Sequence, residues 1–217
     1  MATRDPTATR RLLLTVGQEE VYLHGFQGAS LDAILTRAGV TKGAFFHHFS
    51  SKADFGYAVV DEVVAAMISG QWVEPLQETP DPLLTIATEF ERGVEVLRRQ
   101  RPLLGCPLNN LAQEMNPLDE GFRIRTQAVF AMWRATFAGA LERGKHLGVV
   151  RPEVDASDAA HALVAQIEGT LSLARNSQDA EDLTVGARGL RRYVKSMRAC
   201  DGAPRRRKGA IPPPRPR

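Results

Sequence analysis

The sequence predicts an all-α protein, and three observations carry that prediction. Apolar residues recur at spacings of three and four along most of the chain, as they do on one face of a helix. No segment alternates apolar and polar residues convincingly, as a half-buried strand does. Residues that begin or end helices, among them Ser30, Gly39 and Pro102, separate the periodic segments. A length of 217 residues is enough for a small domain joined to a larger one.

The first three predicted helices lie within residues 10–49. Leu13, Val16 and Val21 fall on one face of the first helix, Glu20 interrupts that face, and Gly25 is the predicted end. The second helix begins after Ser30, a favourable N-cap residue, and ends at Gly39. Thr41 then caps a short third helix.

Six longer periodic segments follow, which brings the expected number of helices to about nine. Ser51 and Asp54 form a capping-box pattern at the start of the fourth helix, and the prolines between 75 and 82 end it. The fifth to ninth predicted helices span about 83–100, 107–115, 118–146, 157–175 and 181–199.

Charge is concentrated at the carboxyl end of the chain. The net charge is +3, yet residues 201–217 hold six cationic side chains against one carboxylate, so the remainder is slightly acidic. Because this tail is rich in Pro and Arg and almost without apolar residues, we expect it to be disordered, either simply solvated or weakly attracted to phosphates. The overall basicity is therefore weak support for nucleic-acid binding.

Composition also bears on the compartment. No apolar run approaches the ~18 residues that a membrane span needs, and the start of the chain is a poor secretory signal. Cys106 and Cys200 are too few for a disulfide framework. We expect a cytoplasmic protein with free thiols and no membrane partner.

The stretch GVTKGAFFHHFSSK at residues 39–52 carries the main functional signal. On a helical wheel, Phe45 and Phe49 share the side that faces a core. Gly43 and His47 lie on the opposite side, flanked by Ala44 and Phe46. Two short helices joined by a tight turn that contains Gly, the second with an exposed contact face, describe a helix-turn-helix, whose second helix fits the DNA major groove.

Hydroxyl and cationic side chains surround that face. Ser30, Thr41, Lys42, His48 and Lys52 are the expected phosphate ligands. His47 and His48 are poor metal ligands because neighbouring helical residues point apart and no Cys, Asp or Glu stands nearby. We expect neither a metal nor a cofactor.

These residues resemble the DNA-binding signature of the tetracycline-repressor (TetR) family of bacterial regulators. The matching residues are Ser30, Ala38-Gly39-Val40, Thr41, Phe46-His47-His48-Phe49 and Lys52. Phe46 departs from the pattern because the family usually has Tyr there, whose hydroxyl contacts a phosphate. The resemblance implies a helix-turn-helix domain at 1–55, a helical regulatory and dimerisation domain at 56–200, and the tail at 201–217.

The resemblance also implies how such a protein acts. It implies a homodimer that pairs through its last two helices, binds a palindromic operator in double-stranded DNA and is released by a small molecule. Residues in the larger domain that could line the effector pocket are three polar and four aromatic ones: Asn109, Asn110, Thr126, Trp72, Phe90, Phe130 and Trp133. Aromatic residues at helical spacing are more often part of a plain core.

Cys106 supports an alternative, a repressor that senses electrophiles or oxidants. The residue precedes Pro107 at a helix start, where the helix dipole is expected to lower the pKa of the thiol. The simpler interpretation is a small buried side chain.

Two other classes compete with a DNA-binding regulator. An enzyme is not expected because the chain has no Gly-rich phosphate loop, no GxSxG motif and no His/Cys metal spacing. A helical protein-interaction module would predict no sequence-dependent binding to DNA.

Overall fold

A computed structural model describes residues 5–199, and in that range the chain forms nine helices and no strand ladder. Eight of them are α1 Pro6–Gly28, α2 Leu31–Ala38, α3 Lys42–His48, α5 Pro82–Leu97, α6 Pro107–Met115, α7 Glu120–His146, α8 Ala156–Ser177 and α9 Ala180–Ser196. The remaining helix, α4, is continuous over residues 52–76. The all-α prediction is confirmed.

Helix α4 contains two π-helical segments along its length. It is α-helical at Lys52–Ala58, Ala65–Ile68 and Glu74–Leu76, and π-helical at Val59–Val64 and Ser69–Val73. π-helical turns inside α-helices are rare and occur frequently at functional sites. This helix joins the small N-terminal unit to the larger helical part.

Helices α1 to α3 and the start of α4 enclose one core. Leu13, Ile34, Phe45, Phe49 and Phe55 are almost completely buried there. The three phenyl rings pack on one another with centroids between 5.1 and 5.4 Å apart. The orientation predicted for α3, with Phe45 and Phe49 inward, is confirmed.

The end of α1 differs from the prediction. Gly25 interrupts the helix with φ 75° and ψ 166°, but helical hydrogen bonding resumes and the helix ends at Gly28. A side chain at position 25 would be strained by this φ and would also meet the carboxylate of Glu114. The structural break therefore lies three residues before the helix end.

Glu20, the unexpected charge on the inner face of α1, is buried and has partners. Its carboxylate lies 3.4 Å from the backbone nitrogen of Ser30 and 3.6 Å from the guanidinium of Arg37. These contacts hold the start and the end of α2 against α1. A polar group at this core position is thus accounted for by its hydrogen-bond and ionic partners.

The larger part packs around α7. Trp133 and Phe137 of α7 are buried against Trp72 of α4. Helix α8 packs between α7 and α9, and α9 also contacts α5. Helix α8 begins after Asp155, whose carboxylate caps it, and thus starts one residue before the predicted limit of about 157.

Two predictions remain without a structural outcome. The tail at 201–217 and Cys200 lie outside the described residues.

No helix within residues 5–199 has the length and apolar character needed to cross a bilayer.

Candidate functional site

The outer side of α3 is a shallow, open surface. Lys42, Gly43 and His47 are exposed, and Phe46 keeps 45% of its surface accessible. Apart from the helix's own backbone and the adjacent residues, no atom of residues 5–199 lies within 4 Å of the point where a side chain at Gly43 would begin. A partner's surface can therefore approach the helix backbone closely at Gly43.

Hydroxyl groups mark the starts of both short helices. The Ser30 hydroxyl oxygen accepts from the Ala33 N–H at 3.2 Å, and that of Thr41 accepts from the Ala44 N–H, also at 3.2 Å. As N-caps, both oxygens are used as acceptors, so each hydroxyl proton remains available to donate. Ala44 and His48 are half-buried at the edges of the open surface.

Lys52 is placed differently from the prediction. Its ammonium donates to the carbonyl oxygens of Ala29 at 2.8 Å and Gln27 at 3.2 Å, and lies 5.1 Å from the centre of the Phe26 ring. Three contacts within the protein fix this group between α4 and the end of α1. Lys52 is thus a structural clamp between α4 and the end of α1.

A cavity of about 390 Å³ lies in the larger part, between α4, α5, α7 and α8. Its wall is mostly apolar and includes Ile68, Trp72, Phe90, Trp133 and Ile167. The volume is at the lower end of the range of small-molecule sites.

The predicted pocket residues divide into two groups. Trp72, Phe90 and Trp133 line the cavity, as expected. Four others do not line it: Phe130, Thr126, Asn109 and Asn110.

The polar residues among those four are used elsewhere. The Thr126 hydroxyl donates to the side-chain oxygen of Asn116 at 2.9 Å, and the Asn109 amide donates to the Ser172 hydroxyl at 3.2 Å. Asn110 lines a separate, more polar cleft of about 450 Å³ between α1 and α6 and donates to the Leu104 carbonyl oxygen at 2.7 Å. Thr126, Asn109 and Asn110 thus form hydrogen bonds that stabilise the fold, and none of the three lines the cavity.

Cys106 also lines the cavity, but its environment opposes the prediction made for it. Burial is the main cause that raises the pKa of the Cys106 thiol well above its ordinary value, and the neighbouring carboxylate of Glu168 adds to the effect. The predicted lowering by the helix dipole is wrong, because loss of solvation outweighs the dipole.

Glu168 is a buried acid on α8 that sequence reasoning missed. Only 8% of its surface is exposed, and burial raises the pKa of its carboxyl to about 7. Apart from its interaction with the Cys106 thiol, neither carboxyl oxygen has a regular hydrogen bond within residues 5–199. The absence of Lys or Arg three or four residues away was the available signal.

Two hydrogen-bonded links join the cavity wall to the N-terminal unit. The Tyr22 hydroxyl of α1 donates to the carbonyl oxygen of Gly105 at 2.5 Å, next to Cys106. The two carboxylate oxygens of Glu114, near the end of α6, accept from the backbone N–H groups of Phe26 and Gln27, each at 2.8 Å. The partners are more than 80 residues apart in sequence, so no local pattern predicted either link.

Comparison with known proteins agrees with this division into two parts. A family model described as "Bacterial regulatory proteins, tetR family" matches residues 13–57. A second, described as "Tetracyclin repressor-like, C-terminal domain", matches residues 82–190. The chain belongs to the TetR family. It is therefore a DNA-binding transcriptional regulator with an N-terminal helix-turn-helix and a C-terminal helical domain.

Individual TetR-family proteins match over most of the chain. Transcriptional regulator AcuR of Cereibacter sphaeroides is 28% identical over 174 residues, which are 79% of this chain and 78% of AcuR. The HTH-type transcriptional repressor DhaR of a Mycobacterium species is 25% identical over 82% of this chain and 87% of its own. The crystal structure of a TetR regulator from Chloroflexus aurantiacus superposes with a TM-score of 0.79 at 28% identity and covers 91% of this chain and all of that one.

Proposed function

We propose that this TetR-family regulator is a homodimeric repressor, released from a palindromic operator when a small molecule occupies the cavity. The observation that carries the proposal is the pair of links at Tyr22 and Glu114. Both connect the loop and helix at the cavity wall to α1 of the DNA-binding unit. A ligand that displaces this wall therefore changes contacts that position the helix-turn-helix.

The DNA contacts in this proposal come from α3 and its neighbours. Gly43, Ala44, Phe46 and His47 are the groove-facing set, since they lie on or beside the open side of the helix. Phe46 offers an apolar ring suited to a thymine methyl group.

The phosphate ligands are a separate set. Ser30, Thr41, Lys42 and His48 serve this role through hydroxyl or cationic groups. Lys52 is left out because its ammonium is bound to backbone carbonyl oxygens.

The dimer contact in this proposal is made by α8 and α9. Their outer side combines small residues with exposed apolar ones: Ala162, Ala165 and Gly169 are exposed, and Leu173 and Val185 keep 63% and 46% of their surfaces accessible. Small residues let a second pair of helices approach closely. A twofold contact here would present two copies of α3 to one face of the DNA.

The proposal is tested with the DNA upstream of the gene. Light scattering is expected to give twice the mass of one chain at micromolar concentration, and footprinting to give protection with dyad symmetry. A monomer, or protection without that symmetry, would contradict the proposal.

A matched pair of histidine variants tests the recognition helix. His47→Ala is expected to reduce the ratio of operator affinity to random-DNA affinity by about tenfold, since one base-edge contact contributes about 1–3 kcal/mol. His146→Ala is the control because His146 is exposed at the end of α7, outside both α3 and the proposed dimer contact. An unchanged ratio for His47→Ala would show that the assigned face of α3 is wrong.

A further inference from the structure

The indole N–H of Trp133 lacks a hydrogen-bond acceptor. Trp133 is 1% exposed, and its Nε1 is buried with no partner within the described part of the chain. Buried N–H groups are nearly always paired, and an unpaired one destabilises the fold. Since Trp133 is one of the residues that line the cavity, a ligand bound there is the source from which we expect the missing acceptor.

The rings around Trp133 favour a flat molecule. Trp72 stacks on Trp133 with ring centres 5.5 Å apart, and both residues line the cavity. Phe90 and Leu171 continue the apolar wall of the cavity. Flat aromatic molecules pack well against such rings.

The charges at the cavity disfavour an anionic ligand. Among residues 5–199, Arg92 is the one cationic side chain in the lining, and it is already paired with Glu89. Glu168 lies behind Cys106 in the wall. A ligand carboxylate would lose its hydration in an apolar site and gain no free cation.

We propose that the cavity binds a neutral aromatic carbonyl compound and that the Trp133 indole N–H donates a hydrogen bond to its carbonyl oxygen. This inference rests on the proposed function, because it names the chemical class of the effector. It assigns one defined contact, so binding and operator release can be measured separately.

The test uses two pairs of probes that differ only in the acceptor. Acetophenone is compared with cumene, and 2-acetylnaphthalene with 2-isopropylnaphthalene. In each pair the hydrocarbon has a methyl group where the ketone has its carbonyl oxygen. Calorimetry on the full chain is expected to give each ketone a roughly 3- to 10-fold lower Kd than its hydrocarbon, the contribution of one buried hydrogen bond. Trp133→Phe is expected to abolish that preference while both members of a pair still bind.

A spectroscopic measurement keeps the test independent of the variant's folding. The chain has two tryptophans, so a protein labelled with ¹⁵N gives two indole N–H signals, which Trp72→Phe assigns. The Trp133 signal is expected to move downfield with the ketones and not with the hydrocarbons. Equal affinities within each pair, no binding by either ketone, or an unmoved Trp133 signal would overturn the inference.

Other outcomes separate this inference from the proposed function. Tighter binding of phenyltrimethylammonium than of acetophenone would overturn the neutral class and indicate recognition of a cation by the aromatic faces. Ketone preference without operator release would support the assigned contact and contradict the proposed release mechanism. Release by ketones and hydrocarbons alike would support the mechanism and contradict the assigned contact.

Discussion

Replacing Glu114 by Ala is expected to destabilise the protein and to weaken the response of DNA binding to a cavity ligand. The carboxylate accepts two backbone N–H groups, from Phe26 and Gln27, at 2.8 Å each. Hydrogen bonds to charged groups contribute about 1.5–3 kcal/mol apiece. Two bonds at the lower end of this range give about 3 kcal/mol, and because Glu114 is only half-buried, solvent screening reduces this to about 2–3 kcal/mol.

That loss is measurable as a change in melting temperature. For a chain of this size, 1 kcal/mol corresponds to about 2–4 °C, so Glu114→Ala is expected to melt roughly 4–12 °C below the wild type. Glu114→Gln keeps one acceptor oxygen and is expected to show about half that shift. Gln113→Ala, an exposed change on the same helix, is the control and is expected to shift by less than about 2 °C.

The functional half of this prediction uses operator binding with and without 2-acetylnaphthalene. If Glu114 transmits the state of the cavity, the Ala variant is expected to bind the ketone normally but to lose most of the ketone-dependent decrease in operator affinity. A variant that melts at the wild-type temperature would refute the energetic reasoning. A variant that melts lower but responds fully to the ketone would refute the coupling.

Three further predictions follow from the charges and burial of single residues. Lys42→Met is expected to lower the salt slope of operator binding by about two units, one for each subunit of the proposed dimer. Lys52→Met is expected to lower the melting temperature and leave the slope unchanged, so equal slopes for the two variants would contradict the clamp. Burial raises the pKa of Glu168 from 4.5 to about 7, so between these pH values the folded state keeps a proton that the unfolded state loses. The free energy of unfolding is therefore expected to fall by on the order of 3 kcal/mol as pH rises from about 4.5 to 7. In denaturant titrations Glu168→Gln is expected to remove this pH dependence, and a profile parallel to that of the wild type would refute the prediction. In Cys200→Ser protein, which leaves Cys106 as the single thiol, Cys106 is expected to react with a maleimide at pH 7.5 more slowly than free cysteine does. A faster reaction would contradict the raised pKa.

Local sequence rules were sufficient for the parts of the fold that neighbouring residues determine. Ser30, Thr41 and Ser51 each cap the helix that the sequence assigned to them. The inward side of α3 followed from the four-residue spacing of Phe45 and Phe49. In these cases the interacting groups lie within one helical turn, so their spacing in the chain already describes their geometry.

Contacts between distant segments explain where sequence reasoning stopped. Lys52 stands at a helix start where a cation was expected to meet phosphate, but the carbonyl oxygens of α1 lie within its reach. Cys106 precedes a helix, and burial beside Glu168, 62 residues later, reversed the direction of its pKa shift. Each outcome depends on which segments the fold brings together, and a helical wheel contains no such information.

Helix α6 gives the release mechanism a definite mechanical form. It starts at the cavity wall, where Cys106 precedes its first turn, and Glu114 lies near its other end, about 12 Å away at 1.5 Å per residue. Glu114 holds the amides of residues 26 and 27, while Lys52 holds the carbonyl oxygens of residues 27 and 29. In the segment that follows the break at Gly25, α6 thus holds backbone N–H groups and α4 holds backbone carbonyl oxygens.

A ligand alters operator affinity only through the difference between its affinities for the two arrangements of these helices. Since both α4 and the start of α6 line the cavity, a molecule that separates them acts on both attachments of this segment at once.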